Sequence, residues 1–148
     1  ILKALPQAKV VHLRRDPMDA SFASFKQLFA DAYPHSYDQA EMARHHARYF
    51  RLMATWRERF GDRFFDISYE DTAAQLEPNA RALIDYLELP WEDACLAFHE
   101  QKAAVTTASV VQVRQPAHTR SVGRWRRYAG QLSMLRETLL AEGVPETL

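Results

Sequence analysis

The chain has 148 residues, of which 47% are hydrophobic, with 19 basic and 19 acidic side chains and one cysteine, Cys95. This length supports one core and a single domain over residues 1–148, and the balanced charge excludes a general attraction to nucleic acid or membrane surfaces. A lone cysteine excludes an internal disulfide, and without a membrane-length apolar stretch or a signal peptide we expect a cytoplasmic protein.

The first strong pattern is a short strand that runs into a helix. Val10 to Leu13 are apolar and rich in β-branched residues, which is typical of a buried strand. Asp16 is a good N-cap, Pro17 fits the first helical position, and Asp19 lies in the first turn. A helix N-terminus beside Arg15 favours phosphate binding. The alternative is that Arg15 only pairs with Asp16, Asp19 or another acid.

Helices and one further strand follow. The helix from Pro17 is predicted to run to about Ala32, and the next, capped by Ser36 or Asp38, to about residue 60. Phe64 to Ser68 is predicted as a second strand. Further helical segments are predicted over residues 72–75, 78–88, 91–99, 121–127 and 131–142. Two buried strands separated by helices predict an α/β fold, mostly helical, with two short parallel strands.

The C-terminal third carries an unusual charge pattern. No Asp or Glu occurs from Gln101 to Arg136, whereas seven basic residues do. This segment therefore indicates a site for a compact anionic ligand. Lys102 to Ala117, within it, is predicted to be an ordered loop with little regular structure, and long loops of this kind tend to be functional.

No metal site is predicted, because the six histidines lack a ligand spacing and the adjacent His45 and His46 point to different faces of a helix. We interpret these two as surface or boundary residues. Polar side chains instead form three clusters, of which two follow the predicted strands. Ligands bind at the carboxyl ends of parallel strands, so we expect those two at one edge of the sheet. The clusters are Arg15 with Ser21 and Ser24; Ser68-Tyr69-Glu70-Asp71; and Thr106-Thr107-Ala108-Ser109 with Gln112-Val113-Arg114 and Arg120-Ser121-Val122-Gly123-Arg124-Trp125.

A series of motifs within these clusters comes in one order: Arg15-Asp16-Pro17-Met18-Asp19, Tyr69-Glu70-Asp71, Thr107-Ala108-Ser109, Gln112-Val113-Arg114, and Ser121-Val122-Gly123-Arg124-Trp125 with Tyr128. The series resembles the C-terminal half of bacterial sulfotransferases related to the tyrosylprotein sulfotransferases. The resemblance spans the chain from about Ala8 to Gly143. It implies a P-loop-like parallel-sheet fold and a sulfuryl transfer from 3′-phosphoadenosine 5′-phosphosulfate to a hydroxyl or amine acceptor.

The same resemblance implies roles for individual residues. Arg15 and a serine on its helix would hold the 3′-phosphate, and Ser109 and Arg114 would be catalytic because they neutralise charge near the leaving phosphate. No metal is implied. The implied cofactor-binding residues are Arg15, Ser24, Ser21, Tyr69, Arg120 and Arg124.

Two departures from the family pattern matter. The phosphate-binding serine of most relatives lies eight residues after the arginine, where this chain has Ala23. Ser24 and Ser21 are the alternative replacements. The family's phosphosulfate loop and acid/base residue precede the arginine motif and have no counterpart here. Since the chain also opens Ile1-Leu2-Lys3 directly before a strand, we expect a piece of a larger protein that is inactive alone.

Two other functions remain as alternatives. One is a piece of a P-loop kinase or nucleotidyl transferase, and the other is a non-enzymatic α/β interaction module with a basic loop. The expected partners are the nucleotide and an unknown acceptor, not nucleic acid or membrane. The strand Val10 to Leu13 would have an unpaired edge, so self-association through that edge is also predicted.

Overall fold

The computed structural model describes residues 1–29, 32–100 and 114–146. Packing divides the chain into two compact units. The sheet unit comprises Ile1–Leu13 and Phe65–Thr119, and the helical unit comprises Arg14–Phe64 and Arg120–Leu148. Most of the predicted loop from Lys102 to Ala117 falls outside the described residues.

The regular elements follow one another in the order β1 (Val10–Arg14), α1 (Pro17–Phe25), α2 (Gln39–Phe60), β2 (Phe64–Ser68), α3 (Tyr69–Ala74), α4 (Leu76–Tyr86) and α5 (Ser133–Ala141). Short 3-10 turns lie at Pro34–Tyr37, Gly61–Arg63, Asp93–Cys95, Phe98–Glu100 and Arg124–Tyr128. The predicted α/β class with two parallel strands is confirmed. None of the described helices is both long and apolar enough to cross a bilayer.

The sheet unit contains the two strands, which pair with each other. His12 Nδ1 on β1 lies 2.6 Å from Asp66 Oδ1 on β2, so a polar pair joins the strands on one face. The other face of β1 presents Val11 and Leu13, which are 41% and 56% exposed. Self-association through this strand stays a prediction.

Among the described residues, the sheet unit also contains two helices, α3 and α4. The Ser68 side chain accepts a hydrogen bond from Asp71 N and so caps α3. Lys9 Nζ donates to Tyr86 O at 2.5 Å, which ties the chain before β1 to the end of α4. The helix predicted over residues 91–99 is wrong, because the chain forms only two 3-10 turns there.

The helical unit is built around one hydrophobic core. Small side chains at Ala43 and Ala47, both fully buried, let α2 approach its neighbours closely, and α5 packs against it. Gln39 joins the two helices further, donating to Gln131 O at 2.8 Å and accepting from Leu135 N at 3.1 Å. The core consists of Met18, Phe22, Met42, Ala43, Ala47, Trp125, Leu132, Leu135, Leu139 and Val144.

The helix ends follow the capping residues more closely than the length predictions. Asp38 accepts from Glu41 N at 2.8 Å and starts α2, which ends at Gly61 with a φ of +44°. The first helix is shorter than predicted, since α1 ends at Phe25. Ser121 does not cap the turn that begins at Arg124; Gly123 precedes it, and no side chain caps it.

The burial of His46 differs from what the sequence predicted. We expected a surface or boundary residue, but the side chain is buried on the inner face of α2, and its Nε2 has no hydrogen-bond partner among the described residues. Burial, with a smaller effect of His45, lowers the pKa of His46 to about 4. The imidazole is therefore neutral at pH 7, as an orphaned nitrogen in an apolar core requires.

Acidification is expected to destabilise the helical unit through His46. Between the unfolded pKa of about 6.5 and the folded value, only the unfolded chain binds this proton. The free energy of unfolding should therefore fall by about 3 kcal/mol from pH 7 to pH 4 because of this residue. Urea unfolding across this range measures it, with His46→Gln as the non-titrating comparison. An equal pH slope in both proteins would contradict the assignment.

Candidate functional site

The strand-to-helix junction delivers Arg15 and the start of α1. The Asp16 side chain accepts from Asp19 N at 2.8 Å, and its carbonyl accepts from Ala20 N at 2.9 Å. Pro17 has no N–H to offer. Most of the first-turn donors are thus satisfied within the helix, so an anion here depends on side chains more than on the backbone donors that the sequence suggested.

Asp19 links α1 to residues 121–125, which we call the 121–125 loop. Its carboxylate is 1% exposed and accepts from Gly123 N through one oxygen and from Trp125 N, at 3.1 Å, through the other. Gly123 has a φ of +69°, a left-handed conformation that glycine adopts without strain. These two amides therefore bind a carboxylate of the protein itself.

Arg15, just before α1, contacts the same loop. Its Nη2 donates to Ser121 O at 3.1 Å. The guanidinium thus has a structural contact with a backbone carbonyl, and phosphate binding by Arg15 stays a prediction. Arg15 and Asp19, four residues apart, together hold both ends of the 121–125 loop next to α1.

Lys26, at the end of α1, joins this site although the sequence analysis did not single it out. Its Nζ lies 4.7 Å from the centre of the Phe22 ring. Burial lowers the pKa of Lys26, and the positive charges of Arg124 and Arg15 lower it further, whereas Asp19 raises it. Lys26 is thus close enough to both arginines to be repelled by them, and the one acid acting on Lys26 already accepts two amide hydrogen bonds.

The two candidate serines differ in accessibility. Ser21 is 1% exposed, and its Oγ has no hydrogen-bond partner among the described residues, whereas Ser24 is half-buried. At roughly 100° per residue, Ser21 projects about 160° away from Asp19, and Lys26 projects about 60° from Ala23. Lys26, not a serine, therefore shares the Ala23 side of α1. In the sequence, this shared side is indicated by the spacing alone, because Lys26 lies three residues after Ala23.

The remaining predicted residues are placed as follows. Arg120 and Arg124 are exposed in the helical unit, and the charges of Arg124 and Arg15 both act on Lys26. Tyr69 is half-buried at the start of α3, and Arg114 is exposed; both belong to the sheet unit. Ser109 lies in residues 101–113, which are not described.

No group of three or more His, Cys, Asp or Glu in the described ranges could hold a metal.

Comparisons with known proteins give two findings. The sequence pattern of a family described as "Sulfotransferase family" matches residues 1–93. An uncharacterized protein of Aquifex aeolicus (strain VF5) is 32% identical over 146 residues, which cover 97% of this chain and 19% of the relative. The chain thus spans about a fifth of the length of that relative.

Proposed function

This chain belongs to the sulfotransferase family, and from that premise we propose that it forms the part of a sulfotransferase that binds the 3′-phosphate of 3′-phosphoadenosine 5′-phosphosulfate. It would be the C-terminal half of a P-loop-like domain, of the bacterial type related to tyrosylprotein sulfotransferases. The family match favours sulfuryl transfer over the kinase and interaction-module alternatives.

The cation cluster of Arg15, Lys26 and Arg124 is the observation that supports this proposal most. Burial lowers the pKa of Lys26, and the charges of Arg124 and Arg15 lower it further; a dianion bound beside Lys26 would offset the repulsion from the two arginines. A guanidinium binds phosphate with two parallel hydrogen bonds, and an ammonium adds a point charge. The residues present therefore fit a phosphate group better than a neutral ligand.

Each residue has a distinct task in this proposal. The bound nucleotide supplies the sulfuryl group that is transferred to a hydroxyl or amine. Arg15 and Lys26 fix its 3′-phosphate, and Ser24, the more accessible serine, contributes a hydroxyl. Ser109 and Arg114 neutralise charge near the leaving phosphate, the role that the family resemblance implies. Catalysis then comes chiefly from positioning and charge stabilisation.

Nucleotide preference tests the proposal. Adenosine 3′,5′-bisphosphate is expected to bind this chain at least about tenfold more tightly than adenosine 5′-monophosphate, because charge-assisted hydrogen bonds to the 3′-phosphate contribute about 1.5–3 kcal/mol. Isothermal titration calorimetry measures both affinities. Lys26→Gln should reduce the preference, and the exposed Lys3→Gln should not. Equal affinities for the two nucleotides would refute the site.

A further inference from the structure

Asp19 has a position that helix capping does not explain. Asp16 already caps α1, and the acidic side chain of Asp19 turns instead toward a loop 104 residues later in the chain. Its carboxylate accepts from the amides of Gly123 and Trp125. A favourable interaction with the helix dipole needs only a negative charge near the first turn and would not require either contact.

The two amides that Asp19 binds are those immediately before and after the amide of Arg124. The backbone on both sides of this arginine is therefore fixed by one buried carboxylate, while its side chain remains exposed. Trp125 adds a buried anchor on the C-terminal side of Arg124. Such an arrangement orders the backbone of a loop arginine before any ligand arrives.

We propose that Asp19 is a positioning residue, which sets Arg124 for the nucleotide phosphate through the amides of Gly123 and Trp125. This inference rests on the proposed function, since it assumes that Arg124 contacts the nucleotide. Pre-ordering removes an entropic cost that the nucleotide would otherwise have to meet on binding. The Arg15 contact with Ser121 O orders the preceding part of the same loop.

The test is a double-mutant cycle on the full chain, with adenosine 3′,5′-bisphosphate as the probe. Asp19→Asn keeps the side-chain shape but replaces one acceptor oxygen by a donor. We expect it to weaken binding by up to about tenfold, which is the whole contribution expected of the arginine that Asp19 positions. Arg124→Ala should weaken binding about tenfold in the parent chain and have almost no further effect in Asp19→Asn, because the displaced arginine no longer contributes.

Two further variants separate this role from plain stabilisation. Asp38→Ala removes the N-cap of α2 in the same unit and should leave both the affinity and the effect of Arg124→Ala unchanged. Gly123→Ala strains the left-handed loop residue without altering α1, and it should reproduce the Asp19→Asn result even if Asp19→Asn fails to fold.

The possible results lead to different conclusions. Additive losses for Asp19→Asn and Arg124→Ala would overturn the positioning role and leave the proposed function standing. A parent chain that does not bind the bisphosphate would overturn both. Amide hydrogen exchange gives a direct readout: Gly123 and Trp125 should lose protection in Asp19→Asn, while Leu135 and Leu139 in the core keep theirs. Unchanged protection at Gly123 would also contradict the role.

Discussion

Arg15→Ala is expected to weaken binding of adenosine 3′,5′-bisphosphate about 10- to 150-fold, which corresponds to about 1.5–3 kcal/mol for a lost charge-assisted hydrogen bond. The guanidinium both contributes to the cation cluster and holds Ser121 O, so its removal should take away a proposed phosphate ligand and loosen the loop that carries Arg124. Isothermal titration calorimetry of the variant chain measures the loss.

Two comparisons make the Arg15 experiment specific. Arg15→Lys keeps the charge but not the planar pair of donors, so it should recover only part of the affinity. Arg59→Ala removes an exposed arginine from the outer surface of α2 and should leave the affinity unchanged. The assignment would be refuted by an Arg15→Ala chain that folds and binds the bisphosphate as tightly as the parent.

The chain alone is expected to transfer sulfate several orders of magnitude more slowly than a full-length relative. The residues assigned to the nucleotide here belong to its 3′-phosphate end, and the sequence offers no phosphosulfate loop or general base of the family type. Removing even one well-placed donor from such a site costs about 100- to 1000-fold in rate. The loss of a whole half of the charge stabilisation should therefore leave little turnover.

An assay with a labelled phosphosulfate donor checks this expectation. The acceptors would be a panel of phenols, peptides and amines, and a full-length sulfotransferase would serve as the positive control. Bisphosphate binding by the same preparation shows that the chain is folded when it fails to turn over. Turnover comparable to that of the control would mean that the catalytic machinery lies within these residues after all.

Local rules account for the parts of the fold that the sequence predicted well. The strand Phe64–Ser68 has the predicted bounds, and Asp38 and Gly61 delimit α2 as expected. Each of these features depends on residues close in sequence: β-branched and aromatic side chains for the strand, a side-chain acceptor for the helix start, and a positive φ for its end. Such signals are complete within a few residues.

Features that depend on distant parts of the chain were the ones missed. The hydrogen bonds between Asp19 and the 121–125 loop join residues more than a hundred positions apart, and neither local pattern requires them. His46 lies beside the polar His45, and its burial follows from which side of α2 faces the core. From the sequence alone, Lys26 cannot be distinguished from an ordinary surface lysine, because the sequence does not show which residues lie near it in space.

The core of the helical unit also determines how late in synthesis this unit can be completed. Its residues come from two stretches, Met18–Ala47 and Trp125–Val144, which the sheet-unit segment separates. At a synthesis rate of about 5–20 residues per second, roughly 4–15 s pass between completion of α2 and the start of α5. During that time the inner face of α2 lacks its main partner, and closing so long a loop is slow. Residues 1–93, which match the family pattern, therefore do not contain a complete core.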